Sequence, residues 1–329
     1  MCPDQNSGQR GGQEQRRVYQ SELWVQNYFF VDLPATDPNY IARGSRHDAA
    51  HCCSGKLHVR LRTVDPLFIG SGFQELEGGS FVRQPLIEGD SAVIPASGLK
   101  GAVRQICRAV SASCVPNETY SVPVFREGKR KWDEHHITLP EHSRSACRGD
   151  LACIVCDMFG RMGWSGKVFF GDLTAEHPGT ARYKAAQQYS PHPEDPAYRG
   201  ENGAHRYKFY RTVIPVISGR QQFELLRAVQ PGTVFTGEIT YRGLDARELA
   251  LLMYGLGQSR TISLKLGGYR NEGFGTVNLE LSGEELDPEA LAAEHRKNAG
   301  AAAEAGIAQL EAGMTYKTVL EDRKERGRA

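Results

Sequence analysis

Apolar and basic residues alternate along residues 56–64. Leu57, Val59 and Leu61 occupy every second position, and cations or His58 occupy most of the positions between them. This period of two predicts a strand with one face in a core and a basic face in solvent. Residues 233–241 show a similar alternation and predict a second strand of this kind.

Two helices are predicted from the longer period of apolar positions. The turn at residues 94–101 (IPASGLKG) leads into a helix whose apolar positions fall on one face. A spacing of four places Lys100, Arg104 and Arg108 on another face. We expect Ser97 to be the N-cap, so that the amide of Gly98 lies at the positive end of the helix, where a phosphate is stabilised. Solvated cations on an ordinary amphipathic helix explain the segment equally well.

The second half of the chain repeats the strand, helix and strand order. Asp245 is the expected N-cap of a helix that ends near Leu256, and residues 264–281 predict a strand, a glycine-rich loop and a last strand. Two such halves predict an α+β fold with an RRM-type, ferredoxin-like antiparallel sheet.

Domain boundaries follow from shifts in composition. We expect a flexible arm at residues 1–24, one domain at residues 25–282, and a peripheral helical tail at residues 283–329 that is rich in alanine. Segments without a clean period predict insertions at about 111–165 and 174–222, the second beginning with a long loop.

Bulk charge does not identify a partner. The 329 residues include 40 Lys and Arg against 39 Asp and Glu, a formal charge of +1, so a nucleic-acid surface would have to arise from local clusters. No apolar run is long enough to span a bilayer, and the first residues lack a signal-peptide pattern. We therefore expect a cytoplasmic protein without a membrane partner.

The cysteines predict a metal site. Four potential ligands lie within fifteen positions, and the last two form a CxxC turn that places two thiolates on one ion. This candidate set for structural zinc is His142, Cys147, Cys153 and Cys156. Rival ligands are Cys107, Cys114, His135 and His136. The alternative is a group of unrelated thiols in a reducing cytosol.

Several short motifs occur in a fixed order along residues 25–282. They are residues 27–34 (NYFFVDLP), 66–72 (PLFIGSG), 94–101 (IPASGLKG), 156–160 (CDMFG), 166–172 (GKVFFGD), 208–211 (KFYR) and 264–275 (LKLGGYRNEGFG). Each motif is weak alone, but the ordered set resembles the RAMP superfamily of CRISPR-associated proteins. The NYFFVDLP and KFYR motifs resemble the branch related to backbone subunits of type III and type III-derived complexes.

The resemblance implies a guide-RNA-binding backbone subunit of an antiviral ribonucleoprotein. Such subunits polymerise along the guide and present it for pairing with target RNA, together with other effector-complex subunits. We expect phosphates or bases to contact Lys56, Arg60, Gly70, Gly72, Gly98, Lys100, Arg104, Arg108, Tyr269 and Arg270. Tyr269 and Phe274 either stack on bases or support the glycine loop, with core packing favoured for Phe274. The resemblance also favours Cys147, Cys153 and Cys156 as zinc ligands.

Cleavage of target RNA is not expected. RNA-cutting members carry an aspartate just before the stretch that corresponds to residues 84–87 (QPLI), and Arg83 stands there in this chain. A guanidinium neither binds a metal nor acts as a base, so a separate nuclease would supply cleavage. One alternative is a metal-dependent endoribonuclease that uses Glu75, Glu77 or Asp90. Another is a zinc-stabilised interaction protein that binds no RNA.

Overall fold

A computed structural model provides the structure of the protein. It describes residues 28–34, 40–42, 53–114, 119–126, 129–136, 147–186, 188, 206–212, 223–283 and 286–314. Only the backbone is described for 119–126, 129–136, 301 and 302. The expected arm at residues 1–24 and the candidate ligand His142 therefore lie outside the described residues.

Strands and helices alternate along the described chain. The strands are β1 (Tyr28–Asp32), β2 (Ile41–Ala42), β3 (Cys53–Thr63), β4 (Gly70–Glu77), β5 (Ser80–Pro85), β6 (Ile87–Glu88), β7 (Ser91–Ile94), β8 (Thr119–Arg126), β9 (Lys129–His136), β10 (Leu151–Ala152), β11 (Val168–Phe170), β12 (Leu173–Glu176), β13 (Thr180–Ala186), β14 (Arg206–Tyr210), β15 (Phe223–Val229), β16 (Val234–Leu244), β17 (Leu264–Lys265) and β18 (Thr276–Ser282). The helices are α1 (Ala96–Ala109), α2 (Ile154–Phe159), α3 (Ala246–Gly255), α4 (Pro288–Asn298) and α5 (Ala301–Met314), with a 3₁₀ turn at Arg270–Glu272.

The main sheet has the strand order β17-β18-β3-β16-β12-β7-β6, and its paired neighbours are antiparallel. β11 also pairs with β16. The structure confirms a mixed α+β fold with antiparallel sheets. Alternation in β3 is also confirmed, because Leu57, Val59 and Leu61 are buried in the core while Lys56 and Arg60 face outward.

Helix α1 begins earlier than its sequence predicts. Pro95, not Ser97, is the N-cap residue, and Ser97 lies inside the first turn. Proline cannot use a side chain as a cap, so the Oδ1 atom of Asp172 accepts the hydrogen bond of the Ala96 amide at 2.6 Å. Asp172 belongs to the GKVFFGD motif, which gives that motif a structural role.

Helix α3 begins as predicted. The Asp245 carboxylate accepts a hydrogen bond from the Glu248 amide at 2.8 Å, and the Glu248 carboxylate accepts one from the Asp245 amide at 3.0 Å. This capping box satisfies two backbone donors at once.

A second sheet, in the order β13-β15-β5-β4, lies beside the glycine-rich loop. Strand β13 of this sheet and part of β12 of the main sheet occupy residues that we expected to begin a long loop. That expectation was wrong for residues 174–186. Strand pairing explains the difference, since β13 pairs with β15 over seven residues, an arrangement that a local pattern does not reveal.

The C-terminal helices pack against the domain. Ile307, Leu310 and Met314 of α5 are buried in the main core, and α5 contacts β1. Residues expected as a peripheral tail therefore contribute side chains to the core. None of the helices in the described part of the chain is long and apolar enough to cross a membrane.

Candidate metal centre and nucleic-acid interface

Four buried cysteines come together between α1 and α2. Cys114 follows α1, Cys147 precedes β10, Cys153 is the N-cap of α2, and Cys156 lies in the first turn of α2. Their sulfur atoms all lie within 4.8 Å of one another. The CxxC spacing achieves this locally, because the cap and the third helical residue turn toward the same side.

The cluster has the geometry of a mononuclear metal site. Tetrahedral zinc with Zn–S bonds of about 2.3 Å needs sulfur atoms about 3.8 Å apart, and Cys114 Sγ lies 3.5 Å from Cys156 Sγ. That separation is too long for a disulfide. An iron–sulfur cubane spreads its thiolates further, because each binds a different iron. The residues thus fit one divalent ion that prefers sulfur.

Backbone and thiol hydrogen bonds prepare the cluster for metal. The Cys153 amide donates to Cys147 Sγ at 3.1 Å, and the Cys114 amide donates to Cys153 Sγ at 3.4 Å. Hydrogen bonds with Cys147 and Cys153 lower the pKa of Cys114 to about 6, and one with Cys114 lowers the pKa of Cys156 to about 7, while hydrogen bonds with Cys114, Cys153 and Cys156 raise the pKa of Cys147. Thiols that lose a proton near neutral pH are the form that binds metal.

The structure assigns the fourth position in this cluster to a cysteine. Cys114 was a rival ligand in the sequence, and it lies with Cys147, Cys153 and Cys156. Cys107, another rival, donates to the carbonyl oxygen of Leu251 at 3.6 Å instead. His142 lies outside the described part of the chain, so its candidacy as a ligand stays a prediction.

An internal ion-pair network holds the helix that carries the CxxC turn. Lys167 Nζ lies 2.7 Å from Asp157 Oδ2 and 2.8 Å from Glu248 Oε2, and Trp164 donates to Asp157 at 2.9 Å. Because both carboxylates are almost fully buried, losing Lys167 would leave uncompensated charge. The CDMFG and GKVFFGD motifs therefore connect α2 to α3.

Two of the predicted phosphate contacts face this cluster. Arg104 Nη2 donates to Cys156 Sγ at 3.7 Å. Burial alone would lower the pKa of Arg108, but the nearby Tyr207 and cysteine side chains raise it. The helical period correctly placed both arginines on one face, and that face packs beside the thiols. Contact of Arg104 and Arg108 with RNA stays a prediction.

The glycine-rich loop lies against the PLFIGSG segment. The Gly268 amide donates to the Phe68 carbonyl oxygen, and the Gly275 amide donates to the Pro66 carbonyl oxygen, both at 2.9 Å. Gly275 has a φ of +86°, and a Cβ there would lie 2.0 Å from the Leu266 carbonyl oxygen. Only glycine fits such a position. Two motifs far apart in sequence thus form one structure.

Tyr269 supports this loop. Its ring is 6% exposed and packs edge-on against Phe68, with the centroids 5.4 Å apart, while its hydroxyl bonds to Glu224. Phe274 is buried in the same cluster. Of the two roles weighed for these rings, their placement favours support over stacking on bases.

A cationic and aromatic crevice lies between α1, β14 and the glycine-rich loop. Arg270 Cζ lies 4.5 Å from the centroid of the Tyr210 ring, and Lys208 Nζ lies 3.8 Å from that of Tyr28. At the base of the crevice, Lys265 Nζ donates to the carbonyl oxygens of Phe274 and Arg270 at 3.2 and 3.4 Å. Burial lowers the pKa of Lys265 to about 8. We refer to this region as the crevice, lined by Ala102, Gln105, Lys208, Tyr210, Lys265 and Arg270.

Helix α1 presents glycines on the crevice side. Gly98 and Gly101 are exposed, and a Cβ at either position would meet nothing within 4 Å. Glycine inside a helix costs about 0.5–1 kcal/mol relative to alanine. Nothing in the described part of the chain requires these glycines, which is the arrangement expected where another molecule approaches the helix backbone closely.

Other predicted contacts lie outside the crevice. On β3, Lys56 Nζ lies 2.8 Å from Glu238 and Arg60 lies 2.9 Å from Glu280. Exposed ion pairs of this kind contribute about 0–1 kcal/mol, so a phosphate could compete for the cations. Lys100 is half-buried on α1. Gly70 and Gly72 lie in β4, and Gly72 has a φ of +87°.

The carboxylates considered for catalysis lie on β4 and in the turn before β7. Arg83 Nη2 is 3.0 Å from Glu224. Hydrogen bonds from Arg227 lower the pKa of Glu77, and Gln84 also donates to Glu77 at 2.9 Å. Glu75 is on the exposed face of β4, and Asp90 is in the turn before β7.

Comparison with protein families identifies the chain. The model of the RAMP superfamily matches residues 60–278, which is more than half of the sequence. The chain therefore belongs to the RAMP superfamily, and this membership implies a CRISPR-associated, RNA-binding role. A search of curated proteins gave no significant match.

Sequence reasoning missed several residues of the crevice. Gln105 and Lys265 sit in segments that were assigned to a helix and a strand, and no local pattern distinguished them. In the KFYR motif, the alternation of cations and aromatic residues around Lys208 was the available signal.

Proposed function

We propose that this protein is a guide-RNA-binding backbone subunit of a type III or type III-derived CRISPR complex. RNA passes along the crevice, with its phosphates near Lys208, Lys265 and Arg270 and its bases beside the aromatic rings. Copies of the chain follow one another along the guide and leave it open for pairing with target RNA. Other effector subunits and a separate nuclease complete the complex.

The exposed glycines of α1 carry this proposal. Gly98 and Gly101 each lie four residues, about one helical turn, before Ala102 and Gln105, the α1 residues that line the crevice with Lys265 and Arg270. An RNA backbone that approached α1 closely would therefore lie near both cations. Burial lowers the pKa of Lys265, so a phosphate that approached it would stabilise its charged form.

The strand order supports an RRM-like reading of the core. Strands β18, β3, β16 and β12 lie side by side in that order, with α1 after β3 and α3 after β16. This is the arrangement of a split βαβ fold with a four-stranded antiparallel sheet. In our proposal RNA binds at the helix and loop side of this core, because the outer face of β3 carries cross-strand ion pairs.

The four-cysteine cluster serves as a structural zinc site. Four protein ligands make a closed site with no position for a substrate, and the free energy of binding contributes to folding. It fixes Cys147 and α2 to the end of α1, and thus stabilises the helix that lines the crevice.

The salt dependence of RNA affinity tests the RNA surface. Lys208→Ala and Arg270→Ala should each weaken binding of single-stranded RNA and reduce the slope of log affinity against log salt by about 0.7 for each lost phosphate contact. Lys297→Ala, which removes an exposed cation from α4, is the matched control and should leave both unchanged. Equal effects of all three variants would contradict a localised surface.

A cleavage assay addresses the competing nuclease function. The protein loaded with guide RNA should bind complementary RNA and leave it intact in magnesium or manganese. Regular cuts that disappear on Glu75→Ala, Glu77→Ala or Asp90→Ala would assign catalysis to this subunit. Protein purified without any bound RNA, and unable to bind it, would favour an interaction protein instead.

A further inference from the structure

Two arginines of α1 lie beside the four thiols. Arg104 donates to Cys156 Sγ at 3.7 Å, and Arg108 lies one turn later on the same helix, close enough to Tyr207, Cys114, Cys153 and Cys156 to interact electrostatically with them. The Nε atoms of both arginines are buried without a hydrogen-bond partner in the described part of the chain. Burying these Nε atoms without a hydrogen bond costs free energy, and the apolar surroundings do not offset that cost.

Charge accounts for this arrangement. Four thiolates with one divalent ion carry a net charge of −2, and two guanidinium groups carry +2. Asp157, the buried carboxylate that follows Cys156 in α2, is engaged by Lys167 and Trp164, so it does not neutralise the arginines. A metal-loaded cluster with both arginines is thus electrically neutral.

We propose that Arg104 and Arg108 are positioning residues of the metal centre, which balance the charge of a four-thiolate site that holds one divalent ion. This inference rests on the proposed metal centre and goes beyond it. The N–H groups of Arg104 stabilise Cys156 as a thiolate, and Arg108 supplies positive charge to the three sulfurs around it. Partners outside the ligand shell commonly change metal affinity by about 10- to 100-fold.

Paired substitutions separate charge from shape. Arg104→Met and Arg108→Met keep a long side chain and remove the charge, whereas Arg104→Lys and Arg108→Lys keep the charge. Lys100→Met is the matched control, because it removes a cation one turn earlier on the same helix face. The metal affinity of each purified full-length protein is measured with Co²⁺ and Zn²⁺ in competition with a chelator, at fixed pH and salt.

We expect each methionine variant to bind metal about 10- to 100-fold more weakly, each lysine variant to recover part of that loss, and Lys100→Met to match the wild type. Saturated with Co²⁺, every variant should keep the intense thiolate-to-metal absorption of an all-sulfur tetrahedral site. This spectrum shows that the ligands are unchanged. The Arg104 variants keep the test valid if Arg108→Met does not fold.

Two results would overturn the inference. Methionine variants with wild-type affinity would show that the charges are not needed, and equal losses with lysine and methionine would show that the shape of arginine matters rather than its charge. A wild-type protein that binds neither ion would instead remove the metal centre itself. Failure of the inference and failure of the proposed centre are therefore distinguishable.

Discussion

Replacing Gly101 by alanine should make the protein more stable and a poorer RNA binder. The new methyl group meets nothing within 4 Å, so it adds no steric cost inside the protein. Alanine in a helix interior is favoured over glycine by about 0.5–1 kcal/mol, because alanine loses less backbone conformational freedom on folding than glycine does. Thermal unfolding should therefore occur about 1–2 °C higher. Denaturant unfolding should show a higher midpoint with the same slope.

RNA affinity should change in the opposite direction. A methyl group between the helix backbone and a closely approaching RNA strand forces the strand outward, and we expect at least about a tenfold loss of affinity, or about 1.4 kcal/mol. Gly255→Ala is the converse control, since its Cβ would lie 2.6 Å from Cys107 Sγ inside the core and should lower stability alone. If Gly101→Ala stabilises the fold and binds RNA normally, the reasoning about the crevice is refuted.

Three further predictions concern the metal, the loop and pH. Purified protein should contain about one zinc per chain, and Cys153→Ser with Cys156→Ser should abolish it and lower the melting temperature; metal analysis that finds no zinc would contradict this. Gly275→Ala should destabilise the fold by at least about 1–2 kcal/mol in denaturant titrations, because its left-handed backbone and the Leu266 carbonyl exclude a side chain; wild-type stability would show that the loop is not rigid. Since burial lowers the pKa of Lys265 to about 8, RNA affinity should fall as pH rises through 8. The free protein should gain stability from this group between pH 8 and about 10.5, where only the unfolded chain remains protonated. Lys265→Met should remove both effects, and an unchanged pH profile would contradict them.

Local patterns predicted the elements that depend on neighbouring residues. Alternation located β3, the Asp245 side chain located the start of α3, and the CxxC turn placed Cys153 beside Cys156. Each of these features is decided within a few residues, where backbone geometry and side-chain period act directly.

Long-range packing decided the remainder. The helical period placed Arg104 and Arg108 on one face, but no sequence pattern states what packs against that face. Cys114 joins the other ligands only after α1 and α2 dock, and β1 reaches Lys208 only through pairing with β14. These contacts depend on the tertiary fold. The sequence pattern therefore predicts candidate residues, and the structure shows which side chains pack against them.

Photocrosslinking of the bound guide RNA, followed by identification of the modified peptides, tests the central claim most directly. We predict crosslinks in residues 206–212, which include Tyr210, and in the glycine-rich loop around Arg270, because both line the crevice with α1. Crosslinks confined to the outer face of β3, around Lys56 and Arg60, would contradict the account and place the RNA on the sheet.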